Sequence, residues 1–391
     1  MLGNFQFYNP TRIYFGENAL QYLSPELANY GRNVLLVYGG GSIKKNGIYD
    51  EIVALLQDAG KRIVELSGVM PNPTLSKLIE GAALARRSDI DLILAVGGGS
   101  VCDYAKGVAL SAYCREDPWE KFYLRNEEPE DKVLPVACVL TMVGTGSEMN
   151  SGSVITNEAQ KRKVGRVLSE KALPKFSILN PRYTMSLPKY QMVSGIFDIL
   201  CHIHEQYFSG HDDNTSDYIA EGLMRSLIHS AAIALEDPQN YEARSNIMWT
   251  STMALNKIIG LGKPQDWQVH MIGQSIGAYT DAAHGMTLSA VTLPYFEKIL
   301  LGAVQKFARY AVYVWGVDPK DKTEESVARE GLSALETWMR RMGVVCNAAE
   351  LGVTPDMVED IADGTFLMRS GYRQLTRQDV IEILQASLRA Q

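Results

Sequence analysis

Apolar and polar residues follow two different rhythms along this 391-residue chain. Up to Leu187, short apolar runs closed by glycine alternate with amphipathic stretches of helical period. Asn33–Tyr38 (NVLLVY) reads as a strand that ends in Gly39-Gly40-Gly41-Ser42. The pattern then predicts a helix over Ile48–Ala59, a strand over Lys61–Leu66 and a helix over Thr74–Arg87. A predicted strand over Asp91–Val96 runs into Gly97-Gly98-Gly99-Ser100, and a helix is expected over Val101–Tyr113. One more predicted strand, Leu134–Thr141, leads to Gly144-Thr145-Gly146-Ser147-Glu148. Strands alternating with helices of this length predict βαβ units and a mainly parallel sheet. Beyond Leu187-Pro188 the period is helical, as in Tyr218–Ile233, Tyr241–Ile259, Val304–Trp315, Glu324–Met342 and Gln378–Arg389. The change of rhythm predicts an α/β domain over residues 1–187 and an all-helical domain over 188–391.

Both GGGS segments close a predicted strand and open a predicted helix. Backbone N–H groups and the positive helix end would receive a phosphate there, and glycine lets the chain approach it closely. Neither segment is a GxGxxG fingerprint. Two such loops in one sheet, with the 141–148 loop beside them, point to a nucleotide at the carboxyl ends of parallel strands. Gly41-Ser42 is followed by Ile43-Lys44-Lys45. An acidic residue in this loop would accept from a ribose 2′-hydroxyl and repel a 2′-phosphate. Small residues, a hydroxyl and cations tolerate the phosphate, which favours NADP(H) over NAD(H).

Composition narrows the field. The chain is 46% apolar and 21% charged, with net charge −7 and no long run of one sign, so it lacks the basic footprint of a nucleic-acid binder. Lys161-Arg162-Lys163 reads as a solvated face or a local ligand contact. No apolar run reaches the roughly 20 residues of a membrane span, and the N-terminus has no signal-like pattern. A cytoplasmic protein is expected. The five cysteines show no CxxC spacing, which argues against a disulfide framework or a thiolate zinc site. Cys201 reads as a packing residue.

All six histidines lie at or beyond residue 202: His202, His204, His211, His229, His270 and His284. Asp198 and His202 are four residues apart, so a helix presents both on one face. A carboxylate with neutral imidazoles suits Fe(II) or Zn(II). His204 would face the opposite side of that helix, His211 begins a polar turn, and His229 reads as a packed or surface residue. Spacing alone does not select the ligands.

Taken together, these motifs resemble the iron-containing, or group III, alcohol dehydrogenases across nearly the whole chain. The resemblance is carried by Arg12-Ile13-Tyr14-Phe15-Gly16, Pro71-Asn72-Pro73, and Gly97 to Asp103 with Lys106. It continues through Gly144 to Glu148, Lys163, Gly195-Ile196-Phe197-Asp198, His202 with Glu205, His270 and His284-Gly285. The GGGS-Ile-Lys-Lys-Asn-Gly segment looks most like the NADPH-dependent butanol dehydrogenase branch, whose members reduce aldehydes. The resemblance implies a dehydroquinate synthase-like fold, with a dinucleotide-binding α/β domain and a helical domain. By it, Asp198, His202, His270 and His284 would hold a divalent metal, iron or alternatively zinc. Gly98, Gly99, Ser100 and Asp103 would hold the pyrophosphate and neighbouring ribose. Asn72, Thr141, Thr145 and Lys163 would line the cofactor site, and Gly40, Gly41 and Ser42 would meet the adenosine ribose with its 2′-phosphate. A homodimer acting on a small alcohol or aldehyde is implied, without nucleic-acid or membrane partners.

Two positions depart from the family pattern. Gln274 stands where many relatives carry a further histidine, one turn after His270, and a glutamine cannot titrate near neutral pH. Asn180-Pro181 replaces an Asp-Pro. The expected reaction is metal-assisted hydride transfer between NADP(H) and an alcohol or aldehyde. Rival readings are a glycerol dehydrogenase-like or dehydroquinate synthase-like enzyme of the same fold, or a nucleotide-binding sensor without catalysis.

Overall fold

Four of the parallel strands are long enough to announce themselves in the sequence; the rest of the architecture is built around them. The computed structural model describes residues 2–210 and 214–389. The chain divides into two units, Tyr8–Leu187 and Pro188–Gln391, the second taking Met1–Phe7 with it.

In the first unit the elements run β1 (Arg12–Phe15), α1 (Leu23–Leu27), β2 (Asn33–Tyr38), α2 (Ser42–Lys45), α3 (Ile48–Asp58), β3 (Arg62–Leu66) and α4 (Leu75–Arg87). β4 (Leu92–Gly97), α5 (Gly99–Ser111), β5 (Val136–Leu140), β6 (Gly152–Asn157), β7 (Arg162–Val167) and β8 (Phe176–Leu179) follow. Six strands form one sheet in the order β1-β8-β5-β4-β2-β3. Every neighbouring pair in it is parallel. β6 and β7 form a separate antiparallel pair. β4 and β5 are buried throughout and β2 nearly so, which explains their unbroken apolar runs. One side of the core gathers Leu36, Leu94, Val139 and Ile178 from four strands against Ile52 and Leu56 of α3.

The sheet order has a functional consequence. From β2 the chain moves outward to β3, then returns to place β4 on the other side of β2. The reversal puts the loops after β2 and β4 side by side at the strands' carboxyl ends, where open α/β sheets bind ligands. The two GGGS segments are those loops. They differ in one respect from the sequence expectation: only the second opens a long helix. After the first, α2 is a single turn, and Gly47 (φ +82°) separates it from α3. Asn180 serves as a turn residue: its side chain accepts from Arg182 N–H and donates to the Glu17 carbonyl.

The second unit is helical: α6 (Lys189–Tyr207), α7 (Thr215–Glu236), α8 (Tyr241–Ala254), α9 (Gln268–Thr280), α10 (His284–Ile299), α11 (Val304–Trp315), α12 (Glu324–Met342), α13 (Val358–Gly364) and α14 (Arg377–Ser387). Residues 1–7, read from sequence with the α/β half, join this unit through the Gly3 N–H, which donates to the Gly262 carbonyl at 2.7 Å. Among the described residues no helix is long and apolar enough to cross a membrane.

Candidate functional site

α6 is buried along most of its length, so polar groups it carries inward must find partners there. Asp198 and His202 occupy one face of it, one turn apart. His270 comes from the first turn of α9, and His284 is the first residue of α10. A close helix approach brings His284 in. A Cβ built on Gly285 would lie 1.9 Å from the Ser194 carbonyl of α6, so only glycine fits there. Asp198 Oδ1 lies 3.6 Å from His202 Nε2, 3.6 Å from His270 Nε2 and 3.9 Å from His284 Nε2. The His202 and His270 rings stack with centroids 4.6 Å apart, and Trp267 presents its ring to both.

This donor set fits a divalent cation. Asp198 Oδ1 and His270 Nε2 are buried atoms without a hydrogen-bond partner, an arrangement costly in an apolar interior unless a cation answers them. Ligand atoms of Asp198, His202 and His270 all lie within 4.8 Å of one another, the spread expected around one ion with bonds of ~2.0–2.2 Å. Asp198, His202 and His270 are buried, whereas the His284 side chain is 22% exposed and marks the open side. Burial pushes the Asp198 carboxyl up, but the imidazoles around it, His202 foremost, hold it well below the usual carboxylate range.

Glu205, a family-motif residue to which the sequence assigns no role, acquires one in the structure. Its carboxylate accepts from the His270 backbone N–H at 3.1 Å and makes a short contact with His270 Nδ1. Such a bond fixes the ring so that Nε2 faces Asp198. Burial lowers the His270 imidazole, but Glu205, Cys201 and Asp198 together outweigh it and raise the group well above its ordinary value. Cys201, read as packing, has its Sγ 3.8 Å from both Glu205 and His270 Nδ1, and burial pushes its thiol up to about 12.

The other histidines take separate places. His204 lies buried against Phe208, Phe296 and Tyr310, with Nε2 3.0 Å from the Tyr310 hydroxyl, and burial lowers it to about 3. His229 is exposed on α7. His211 falls outside the described residues. Gln274 is buried on α9, one turn beyond His270.

In the α/β unit, α5 begins directly beneath its loop. Gly98 is its N-cap and no side chain caps it, while Val101 N–H turns back to the Gly98 carbonyl at 3.0 Å. The loop fits tightly: a Cβ on Gly99 would meet the Thr145 side chain at 2.2 Å, and one on Gly98 would meet Met142 at 3.0 Å. Thr145 is thereby seated against the start of α5, while Thr141 N–H donates to the Gly97 carbonyl at 2.9 Å. Ser100 is half-buried on the first turn. Lys163 of β7 donates to Asn72 Oδ1 at 2.5 Å, which brings those two expected cofactor contacts together. Gly40 and Ser42 are exposed, and Gly41 takes a left-handed φ of +104°. Asp103 faces inward. It accepts from the Ser147 hydroxyl and from Val154 N–H at 3.0 Å, and lies 3.7 Å from buried Lys106. In this arrangement Asp103 ties α5 to the 144–150 loop and to β6.

Comparison with known proteins agrees with this reading of the fold. The family description "Iron-containing alcohol dehydrogenase" matches residues 10–181, and "Fe-containing alcohol dehydrogenase family, C-terminal" matches residues 192–388. The chain belongs to the iron-containing alcohol dehydrogenase family, and so to the oxidoreductases that interconvert alcohols and aldehydes with a divalent metal and a nicotinamide cofactor. It is 37% identical over 390 residues to NADH-dependent butanol dehydrogenase A of Clostridium acetobutylicum, covering 98% of this chain and 99% of that one. It is 35% identical over 355 residues to an NADPH-dependent aldehyde reductase of Escherichia coli, covering 90% of each. The crystal structure of an NADH-dependent butanol dehydrogenase A from Thermotoga maritima superposes with a TM-score of 0.94 at 37% identity, covering 99% of both chains.

Proposed function

We propose that this protein is a metal-dependent alcohol dehydrogenase and aldehyde reductase that moves hydride between NADP(H) and a primary alcohol or aldehyde such as butanol or butanal. The observation that carries the reading is the convergence of Asp198 Oδ1 with the Nε2 atoms of His202, His270 and His284 from three helices. We assign dinucleotide binding to the α/β domain and metal binding to the helical domain, with Fe(II) the preferred ion and Zn(II) the alternative. The similarity to butanol dehydrogenases and an aldehyde reductase supports the substrate class. The family resemblance supports a homodimer in the cytoplasm, which sedimentation of the purified protein tests as to oligomeric state.

When bound, the metal supplies Lewis-acid polarisation of the carbonyl oxygen and the nicotinamide supplies the hydride. The chain's own residues do the rest. Asp198 would give the metal its one negative oxygen, and His202, His270 and His284 would hold it through imidazole nitrogens. Glu205 keeps His270 in the orientation that directs Nε2 inward. Asp198, His202 and His270 are buried and Trp267 packs on both rings, so the more exposed His284 side is left for substrate. Gln274 cannot titrate near neutral pH, so this side chain does not supply the proton that completes the alcohol.

Replacing His270 with Ala is expected to remove both bound metal and butanal-dependent NADPH oxidation while far-UV circular dichroism stays native. A metal-free variant that remained active would falsify the assignment. Chelation of the wild-type enzyme should abolish activity, and adding back Fe(II) or Zn(II) one at a time should show which ion restores it.

A further inference from the structure

The loop expected to meet the adenosine ribose contains no acid, yet the fold delivers one beside it. Glu65, at the end of β3, points its carboxylate at both flanks of the Gly39–Ser42 loop. Tyr38, the residue just before the loop, donates its hydroxyl to Glu65 Oε2 at 2.5 Å. Tyr49 of α3 donates to Oε1 at 2.7 Å. Lys44, two residues after Ser42, lies 3.8 Å from Oε2 and sits over the Tyr49 ring at 4.2 Å and the Tyr38 ring at 5.1 Å. The two strands are locked together here, because Gly68 N–H donates to the Gly39 carbonyl and Val69 N–H to the Tyr38 carbonyl. Glu65 is therefore fixed in position rather than waving in solvent, although its side chain is 44% exposed.

We propose that Glu65 is a specificity-determining residue for the cofactor: its carboxylate holds Lys44 and opposes the 2′-phosphate, so that the enzyme accepts NADH beside NADPH. The inference rests on the reading of the Gly40–Ser42 loop as the adenosine-ribose site. A carboxylate repels a phosphate dianion and can accept from a ribose 2′-hydroxyl, so the same charge disfavours one cofactor and suits the other. Of the two loop cations that would answer the phosphate, Lys44 is the one Glu65 engages. Hydrogen bonds, the Tyr38 hydroxyl first, hold the Glu65 carboxyl below the usual carboxylate range, so the charge is present at neutral pH.

The test is fluorescence titration of the metal-loaded enzyme with NADH and with NADPH, without substrate. For Glu65→Gln, which keeps the shape and removes the charge, the ratio of Kd(NADPH) to Kd(NADH) should fall about five- to tenfold. The change should shrink as salt is raised, since both groups are solvent-facing. Glu65→Asp should stay near wild type, and Lys44→Gln should move the ratio the opposite way. A Glu65→Gln ratio within about twofold of wild type, in an enzyme that binds both nucleotides, overturns the proposal alone. Wild-type enzyme that binds neither nucleotide overturns the cofactor reading of this unit, and the proposal with it.

Discussion

A single hydrogen bond decides which nitrogen of His270 is available. Imidazole has two chemically distinct nitrogens, and a carboxylate on one directs the lone pair of the other. Glu205 takes that role from the same helix that carries Asp198 and His202, one turn further on. Glu205→Gln is expected to weaken metal binding roughly ten- to a hundredfold with little change in fold; competition with a chromogenic chelator measures it, and wild-type affinity would rule the role out. A second carboxylate nearby behaves differently. Asp266 is buried beside the Tyr295 hydroxyl, and burial pushes its carboxyl up to about 7. Its folded value lies above its unfolded one, so the folded state holds a proton that the unfolded chain releases. That contribution to stability is complete below about pH 4 and is lost as pH rises through about 7. Thermal midpoints followed from pH 4 to 8 should fall with rising pH more steeply in wild type than in Asp266→Asn, and parallel curves would refute this.

Elements, rather than residues, set the site's dimensions. α6 and α10 approach so closely at Gly285 that a methyl group has no room. Gly285→Ala should destabilise the helical unit by about 1–3 kcal/mol and move His284 off the centre, lowering both melting temperature and metal content. Such element-level facts also explain what the sequence displayed and what it hid. Buried parallel strands β2, β4 and β5 write continuous apolar runs, and the Asp198–His202 pair writes its own spacing. β1 and β8 are only four residues each, too short for a period to register. β7 carries Arg162, Lys163 and Arg166 and is exposed or half-buried throughout, so it reads as a charge cluster although it places Lys163 on Asn72. Glu205 and His270 are 65 residues apart, and Asp103 meets Val154 across 51. No local pattern encodes such meetings, which is why the bonds of Asp103 to β6 and the place of Cys201 beside Glu205 and His270 were not legible in the sequence.

At the scale of the molecule, the sheet order determines where a nucleotide is expected and the helical unit where a metal is. The reversal between β2 and β4 makes one crevice at the strand ends, and Glu65 enters it from β3, an element the loop motif does not include. The family relationship covers both units, in agreement with a chemistry that needs a metal centre and a hydride carrier. Residues 1–7 raise a matter of timing. They are made before the α/β unit but belong to the unit made after it, and Gly3 bonds to Gly262, 259 positions later in the chain. During synthesis this segment stays without its partner while the whole α/β unit emerges and folds behind it. The α/β unit is thus inserted, in topological terms, within the helical one, with both its ends tied to the same neighbour. Removing residues 2–7 should lower the unfolding temperature of the helical unit and leave that of the α/β unit in place, as limited proteolysis along a thermal ramp would resolve. A nascent chain stalled before residue 262 should present those first residues to a protease, and a completed one should protect them.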